Sequence, residues 1–187
     1  MVKKVAVVFY SGYGHTEVVA QQVLNGLSGV SGIDAQIFKT SFFTDNPDNL
    51  SKLSEFDCIV FGSPTYMGSV AADFKKFMDI SSSVWFGQGW KDKFAAGFTN
   101  SAGLSGDKLN TLSTLSIFAA QHSMIWISQG IFPKSHGESD VNRLGSWLGL
   151  MTQSENADAS VTPGLGDREY AMLFGKRIGT FLVEKTK

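Results

Sequence analysis

The sequence predicts an α/β domain built on a doubly wound parallel sheet, and three observations predict it. Short apolar runs alternate with helical patterns along the 187 residues, as strands joined by crossover helices require. The first run, Val5-Ala6-Val7-Val8, feeds straight into a small-residue loop and then a helical pattern. Two later runs end in loops of the same small and hydroxyl-bearing character.

The expected strands are residues 4–9, 34–39, 58–62, 94–99 and 124–128. Helices are expected over 16–27, 71–82, 107–121 and 168–185. In the first of these, Val19, Val23 and Leu27 recur at four-residue spacing, which places them on one face. A further short helix is expected over 49–54, where Pro47 and Asp48 supply start signals. Five strands with intervening helices fit a flavodoxin-like sheet of order 2-1-3-4-5, with helices on both faces. No repeat or linker divides the chain, so residues 1–187 read as one domain. Residues 128–167, rich in Gly, Ser and Asn, read as a long excursion over the surface or toward a partner subunit.

Composition narrows the function classes. With 43% hydrophobic and 18% charged residues, the chain has the balance of a globular protein. Its 16 basic and 17 acidic residues leave a net charge of -1, and no Lys/Arg cluster offers a nucleic-acid surface. The single cysteine, Cys58, excludes an internal disulfide and reads as a small core residue within Cys58-Ile59-Val60-Phe61. The apolar run after Met1-Val2-Lys3-Lys4 is too short for a signal-peptide core or a membrane span, so a cytoplasmic location is expected.

Ligands of an open parallel sheet sit outside the carboxyl ends of the strands, near the switch point of strand order. Three loops leave those ends. The first, Ser11-Gly12-Tyr13-Gly14-His15-Thr16, joins a strand to a helix start, where unpaired backbone N–H groups suit a phosphate. Glu17 stands where a dinucleotide fingerprint needs its third Gly, and no Gly-Lys-Ser/Thr occurs, so the dinucleotide and triphosphate loops are both excluded. A mononucleotide phosphate held by amides and hydroxyls remains, or else an ordinary capped turn. No Lys or Arg lies between Lys4 and Lys39, so a phosphate here is held without a cation, and its uncompensated charge is expected to lower the reduction potential of any redox-active ligand beside it.

The second loop, Pro64-Thr65-Tyr66-Met67-Gly68, offers a face for a planar aromatic ligand, or is a turn with a partly buried Tyr. The third presents Asn100, Ser101 and Ser105 with open backbone at Ala102 and Gly103, suited to the edge of a heterocycle or to a plain loop.

Three separated motifs then carry a resemblance: Phe9-Tyr10-Ser11-x-Tyr13-Gly14-His15, Phe61-Gly62-Ser63-Pro64-Thr65-Tyr66-x-Gly68 and Ala120-Gln121-His122-Ser123-Met124. In order and spacing they resemble the flavodoxin-like NAD(P)H:quinone oxidoreductases of the tryptophan-repressor-binding-protein (WrbA) family, over about two-thirds of the chain. The resemblance implies FMN as cofactor, NAD(P)H as donor and a quinone-like acceptor. It implies that residues 11–16 hold the FMN phosphate, 65–67 lie beside the ring and 100–105 meet its other edge. Tyr13 matches a tyrosine that contacts the nicotinamide cofactor. Trp85 matches a substrate-pocket tryptophan supplied there by a neighbouring subunit, so a homodimer or homotetramer is expected. Counting back from Met124 puts Gln121 at a flavin-contacting position where the family often has His; Gln can hydrogen-bond a flavin carbonyl but carries no charge. The segment 41–50 is shorter than the family's tetramer-building insertion.

His15, His122 and His136 lie far apart without metal-ligand spacing, and no Gly-x-Ser-x-Gly elbow occurs, so no metal site and no catalytic side chain is assigned. Trp85, Phe86 and Trp90 read as a core edge, an oligomer contact or a substrate lid; Trp126 and Trp147 read as packing residues. Gly164-Leu165-Gly166 reads as the lead-in to the last helix. The expected function is hydride transfer from NAD(P)H through FMN to a quinone, without a residue acting as acid or base. The alternative is a flavodoxin-type one-electron carrier, against which the lack of an acidic cluster weighs. A signalling receiver domain of the same strand order needs a phospho-acceptor Asp, but these strand ends carry Ser11, Ser63 and Asn100.

Overall fold

The structure, a computed structural model, describes residues 1–185. Its centre is β1 (Lys3–Phe9), buried from Val5 to Phe9 because both faces of the sheet are covered. Val5, Val7 and Phe9 pack with α1 (His15–Ser28) and α6 (Leu165–Lys185). Ala6 and Val8 face an opposite, phenylalanine-rich layer. That layer comprises α2 (Ser41–Thr44), a 3-10 helix over Pro47–Glu55, α3 (Ala72–Ile80) and α5 (Lys108–Gln121). Where α1 crosses α6, a Cβ on Gly26 would stand 1.9 Å from the Met172 carbonyl oxygen, and one on Gly175 2.1 Å from that of Val23. Hydrogen in place of a side chain lets the two backbones touch.

β1 pairs in parallel with β2 (Ile33–Lys39) on one side and β3 (Cys58–Tyr66) on the other. Beyond β3 lies β5 (Phe94–Ser101), the fourth position in the sheet, also parallel. The five positions follow the expected order, but the described residues form seven strands rather than five. One addition is β4 (Ser69–Val70), which folds back antiparallel on the end of β3 through Met67-Gly68. Both turn residues have positive φ, 47° and 81°, the geometry of a two-residue hairpin that matches strand twist.

The fifth position departs most from expectation. Instead of one strand over 124–128, β6 (Ile125–Trp126) pairs the start of β5 and β7 (Leu150–Gln153) pairs its end. The chain leaves the sheet between them because side-chain amides replace ladder partners. Gln129 Nε2 and Asn142 Nδ2 both donate to the Ser146 carbonyl, and Trp126 Nε1 donates to that of Leu148 at 2.8 Å. Residues 128–167 are therefore not a surface excursion alone; they return to complete the sheet.

The expected helix over 71–82 breaks at Ser81, whose hydroxyl donates to the Met78 carbonyl at 2.7 Å, and α4 (Ser82–Phe86) follows. The short helix expected over 49–54 is the 3-10 helix, and the last helix starts at Leu165 rather than Arg168. Trp90 is fully buried, whereas Trp147 is half exposed and meets Phe132 edge to face. Among the described residues no helix is long and apolar enough to cross a membrane.

Candidate functional site

The carboxyl ends of β1, β3 and β5 open into one cleft of about 490 Å³. Ser11, Tyr13, His15 and Thr16 line it from the first loop, Pro64, Thr65 and Tyr66 from the second, and Asn100, Ser101 and Ala102 from the third. Gly12 and Gly14 belong to the same first loop, and Met67 and Gly68 form the hairpin tip above the second. Asn110 Nδ2 pins that tip by donating to the Gly68 carbonyl at 2.7 Å.

The first loop has the donors a phosphate needs. Gly14 caps α1 in the left-handed region at φ 89°, and no side chain satisfies the helix start, so the first-turn amides are free for an anion. Ser11 Oγ is buried without a partner, a hydroxyl left for a ligand oxygen. Thr16 is buried in the first turn of the helix. These residues fit a phosphate monoester.

Beside this loop, Tyr66 takes a hydrogen bond from the Gly12 amide, while burial and the neighbouring Tyr13 hold its phenol above the ordinary value. The Tyr13 and Tyr66 rings meet edge to face with centroids 6.1 Å apart. Tyr13 is 79% exposed and stands at the lip. Beneath them, Thr65 Oγ1 bonds both Thr99 Oγ1 and Thr111 Oγ1 at 2.8 Å. Asn100 Oδ1 accepts from Thr152 Oγ1 at 2.8 Å and Ser154 Oγ at 3.0 Å, which fixes the amide's orientation.

Two features escaped the sequence. The first is a fourth wall, residues 154–159, brought over the cleft by β7. His15 Nε2 lies 2.8 Å from the Ala157 carbonyl, tying this wall to α1, and Arg168 holds its far side through the Ala159, Ser160 and Pro163 carbonyls.

The second is a buried charge network under the third loop. Lys108, 1% exposed, donates to Ser101 Oγ at 2.8 Å and to the Gly103 carbonyl at 2.6 Å. Burial pushes its ammonium down to about 8; Asp167 opposes that shift and Arg143 adds to it. Arg143 grips Asp167 with two bonds, of 3.2 and 3.1 Å, and reaches Gln153 Oε1 at 2.9 Å. Gln153 Nε2 donates to the Ala102 carbonyl at 2.7 Å. The first loop lacks a cation, but the floor of the cleft does not.

Gln121, Trp85 and Ser105 stand elsewhere in this chain. Ser105 faces a separate surface hollow with Leu109 and Met151, on the outer side of its loop. Gln121 and Trp85 share a hollow of about 430 Å³ with Met78, Ile117 and His122. α5 starts at the cleft and runs fourteen residues, about 20 Å at 1.5 Å per residue, so its last residue reaches the opposite edge of the sheet. α4, carrying Trp85, precedes β5 and lies at that same edge. In this hollow His122 Nε2 lies 2.9 Å from Ser81 Oγ, its ring sits 4.3 Å from that of Trp90, and burial lowers its pKa to about 4.

A parallel sheet with a first loop whose free helix start and unpartnered hydroxyl suit a phosphate, and a ring-sized cleft at the switch point, has the architecture of a mononucleotide site of flavodoxin type. The model of the NADPH-dependent FMN reductase family matches residues 5–139. Flavodoxin FldP of Pseudomonas aeruginosa is 41% identical over 180 residues, 94% of each chain. An NAD(P)H dehydrogenase (quinone) of Chromohalobacter salexigens is 30% identical over 137 residues, 65% of this chain and 68% of that one. Among solved structures, a WrbA-like flavodoxin from Agrobacterium tumefaciens superposes with a TM-score of 0.76 at 37% identity, covering 97% of this chain and 98% of that one. The chain belongs to the NADPH-dependent FMN reductase family. It is an FMN oxidoreductase, and NAD(P)H is the family's electron donor.

Proposed function

We propose that this chain passes a hydride from NAD(P)H through FMN to a quinone or similar small acceptor, in the manner of the WrbA-like branch of its family. The observation that carries this reading is the open side of the cleft. Tyr13 and Met67, at its lip, are 79% and 103% exposed, so a ring seated against Tyr66 and Asn100 keeps one face accessible to donor and acceptor in turn. Bound FMN supplies the hydride chemistry, and the protein binds and orients. Ser11, Thr16 and the amides of residues 13–16 hold the phosphate; Pro64, Thr65 and Tyr66 flank the ring. Asn100, Ser101, Ala102 and Gly103 meet its polar edge, and Tyr13 receives the nicotinamide. Trp85 and Gln121 stand at the far edge of the sheet, so they serve a site only in a homo-oligomer, where one copy presents them to the cleft of another. The quinone dehydrogenase relative supports the acceptor class.

The one-electron carrier reading has its own support, because the relative that spans 94% of both chains is named a flavodoxin. Steady-state assays decide between them. NAD(P)H oxidation that accelerates with added benzoquinone supports the enzyme. No quinone-dependent oxidation, together with stepwise one-electron photoreduction of the FMN-loaded protein, overturns it in favour of the carrier.

A further inference from the structure

Lys108 is a buried cation, and among the described residues no carboxylate is in hydrogen-bond contact with it. Its two partners, Ser101 Oγ and the Gly103 carbonyl, bracket Ala102, and Ser101 and Ala102 line the cleft. The charged groups that face it are Asp167 on α6 and Arg143 on the segment between β6 and β7. Those two are paired with each other, so the three together leave one net positive charge beneath this wall. At 1% exposure that charge is weakly screened.

We propose that the Lys108 ammonium favours the reduced form of FMN, acting as a positioning residue through Ser101 and the backbone of Ala102 and Gly103. The proposal rests on the assignment of the 100–103 wall to the polar edge of the ring. Hydride transfer breaks a C–H bond of NAD(P)H, forms an N–H bond on the flavin and releases NAD(P)+. The flavin thereby gains two electrons and one proton, hence one net negative charge. A buried cation one hydrogen bond behind the cleft wall stabilises that charge and contributes little to the neutral oxidised ring. It opposes the potential-lowering effect of the cation-free phosphate loop.

The test is a spectroelectrochemical titration of the FMN-loaded protein from about pH 6 to about pH 10, a range that spans lysine deprotonation at this site. In Lys108→Met the preference for reduced over oxidised FMN drops about tenfold, roughly a 30 mV lower midpoint for a two-electron couple. Lys108→Arg keeps the neutral-pH potential. The wild-type curve carries an extra inflection above about pH 8, absent from both variants. A wild-type potential and pH profile in Lys108→Met overturns the proposal. If that variant does not fold, a wild-type curve without the inflection overturns it alone. Failure of the cofactor reading is seen separately, as a protein that binds no FMN, and removes this proposal with it.

Discussion

Two hollows of this molecule, the cleft and the one around Trp85, are similar in size and built on opposite plans. The cleft, about 490 Å³, is made by loops at the carboxyl ends of strands and lined with hydroxyls, the amides of Asn100 and Asn156, the His15 imidazole and the carboxylates of Glu155 and Asp158 on its fourth wall. The hollow at the other edge, about 430 Å³, is made by helix side chains, among them Trp85, Phe118 and His122. The first offers directional hydrogen bonds to a charged, planar ligand; the second offers apolar surface around a neutral imidazole. Residues that the motifs assign to one site divide between the two, and that division teaches that motif order along a chain does not say at which end of a sheet each motif lands.

The sharpest way to break this contrast is to strip the cleft of its hydroxyls. Ser11→Ala with Thr16→Val removes two hydrogen bonds to a charged group, each worth about 1.5–3 kcal/mol, so FMN affinity drops by roughly a hundredfold or more. Fluorescence titration measures it, with unchanged far-ultraviolet circular dichroism as the control. Unchanged affinity would place the phosphate outside the first loop.

Next comes the floor of the cleft. Arg143→Met leaves Asp167 buried without its partner, at a cost of about 3–5 kcal/mol in urea unfolding. A loss below about 1 kcal/mol, the range of exposed pairs, would mean that the network is solvated.

The hollow has its own signature, in pH. His122 is held neutral with a pKa near 4, below its ordinary value of 6.5, so the unfolded chain binds the proton more readily. Its contribution to stability is therefore full above about pH 6.5 and lost progressively toward pH 4, at most about 3 kcal/mol. His122→Gln should flatten that portion of the curve in acid-dependent urea melts; an identical curve would show that other groups govern it.

The smallest effect belongs to Gln121→Ala. In dilute protein, where one chain acts alone, FMN affinity changes less than about twofold, since a residue outside the site falls within the few tenths of a kcal/mol of a surface change. A tenfold loss, with sedimentation showing an oligomer, would mean that a second copy brings Gln121 to the flavin.

Most of the scaffold was readable from residue pattern. The runs of β1, β3 and β5 are largely apolar because both sheet faces are covered there, and that leaves a clear trace; β2, the edge strand, has no fully buried residue. The three loops were readable because Gly, Ser and Thr cluster directly after those runs. The split fifth strand was not, since two short pieces twenty-four residues apart carry no continuous apolar run. Residues 154–159 look like any Ser/Asn/Asp/Ala loop, and only pairing with β5 carries them over the cleft. Lys108 at a helix start reads as a solvated charge; its burial depends on Asp167, fifty-nine residues later, and on the loop that folds over it.

The assignment of the cleft to a mononucleotide is tested most directly by comparing FMN with riboflavin, which differ only in the phosphate, in isothermal titrations of the unmodified chain. Amides and a free hydroxyl at the α1 start predict that FMN binds about a hundredfold tighter or more, the worth of two charge-assisted hydrogen bonds. Equal affinities for the two flavins would contradict it.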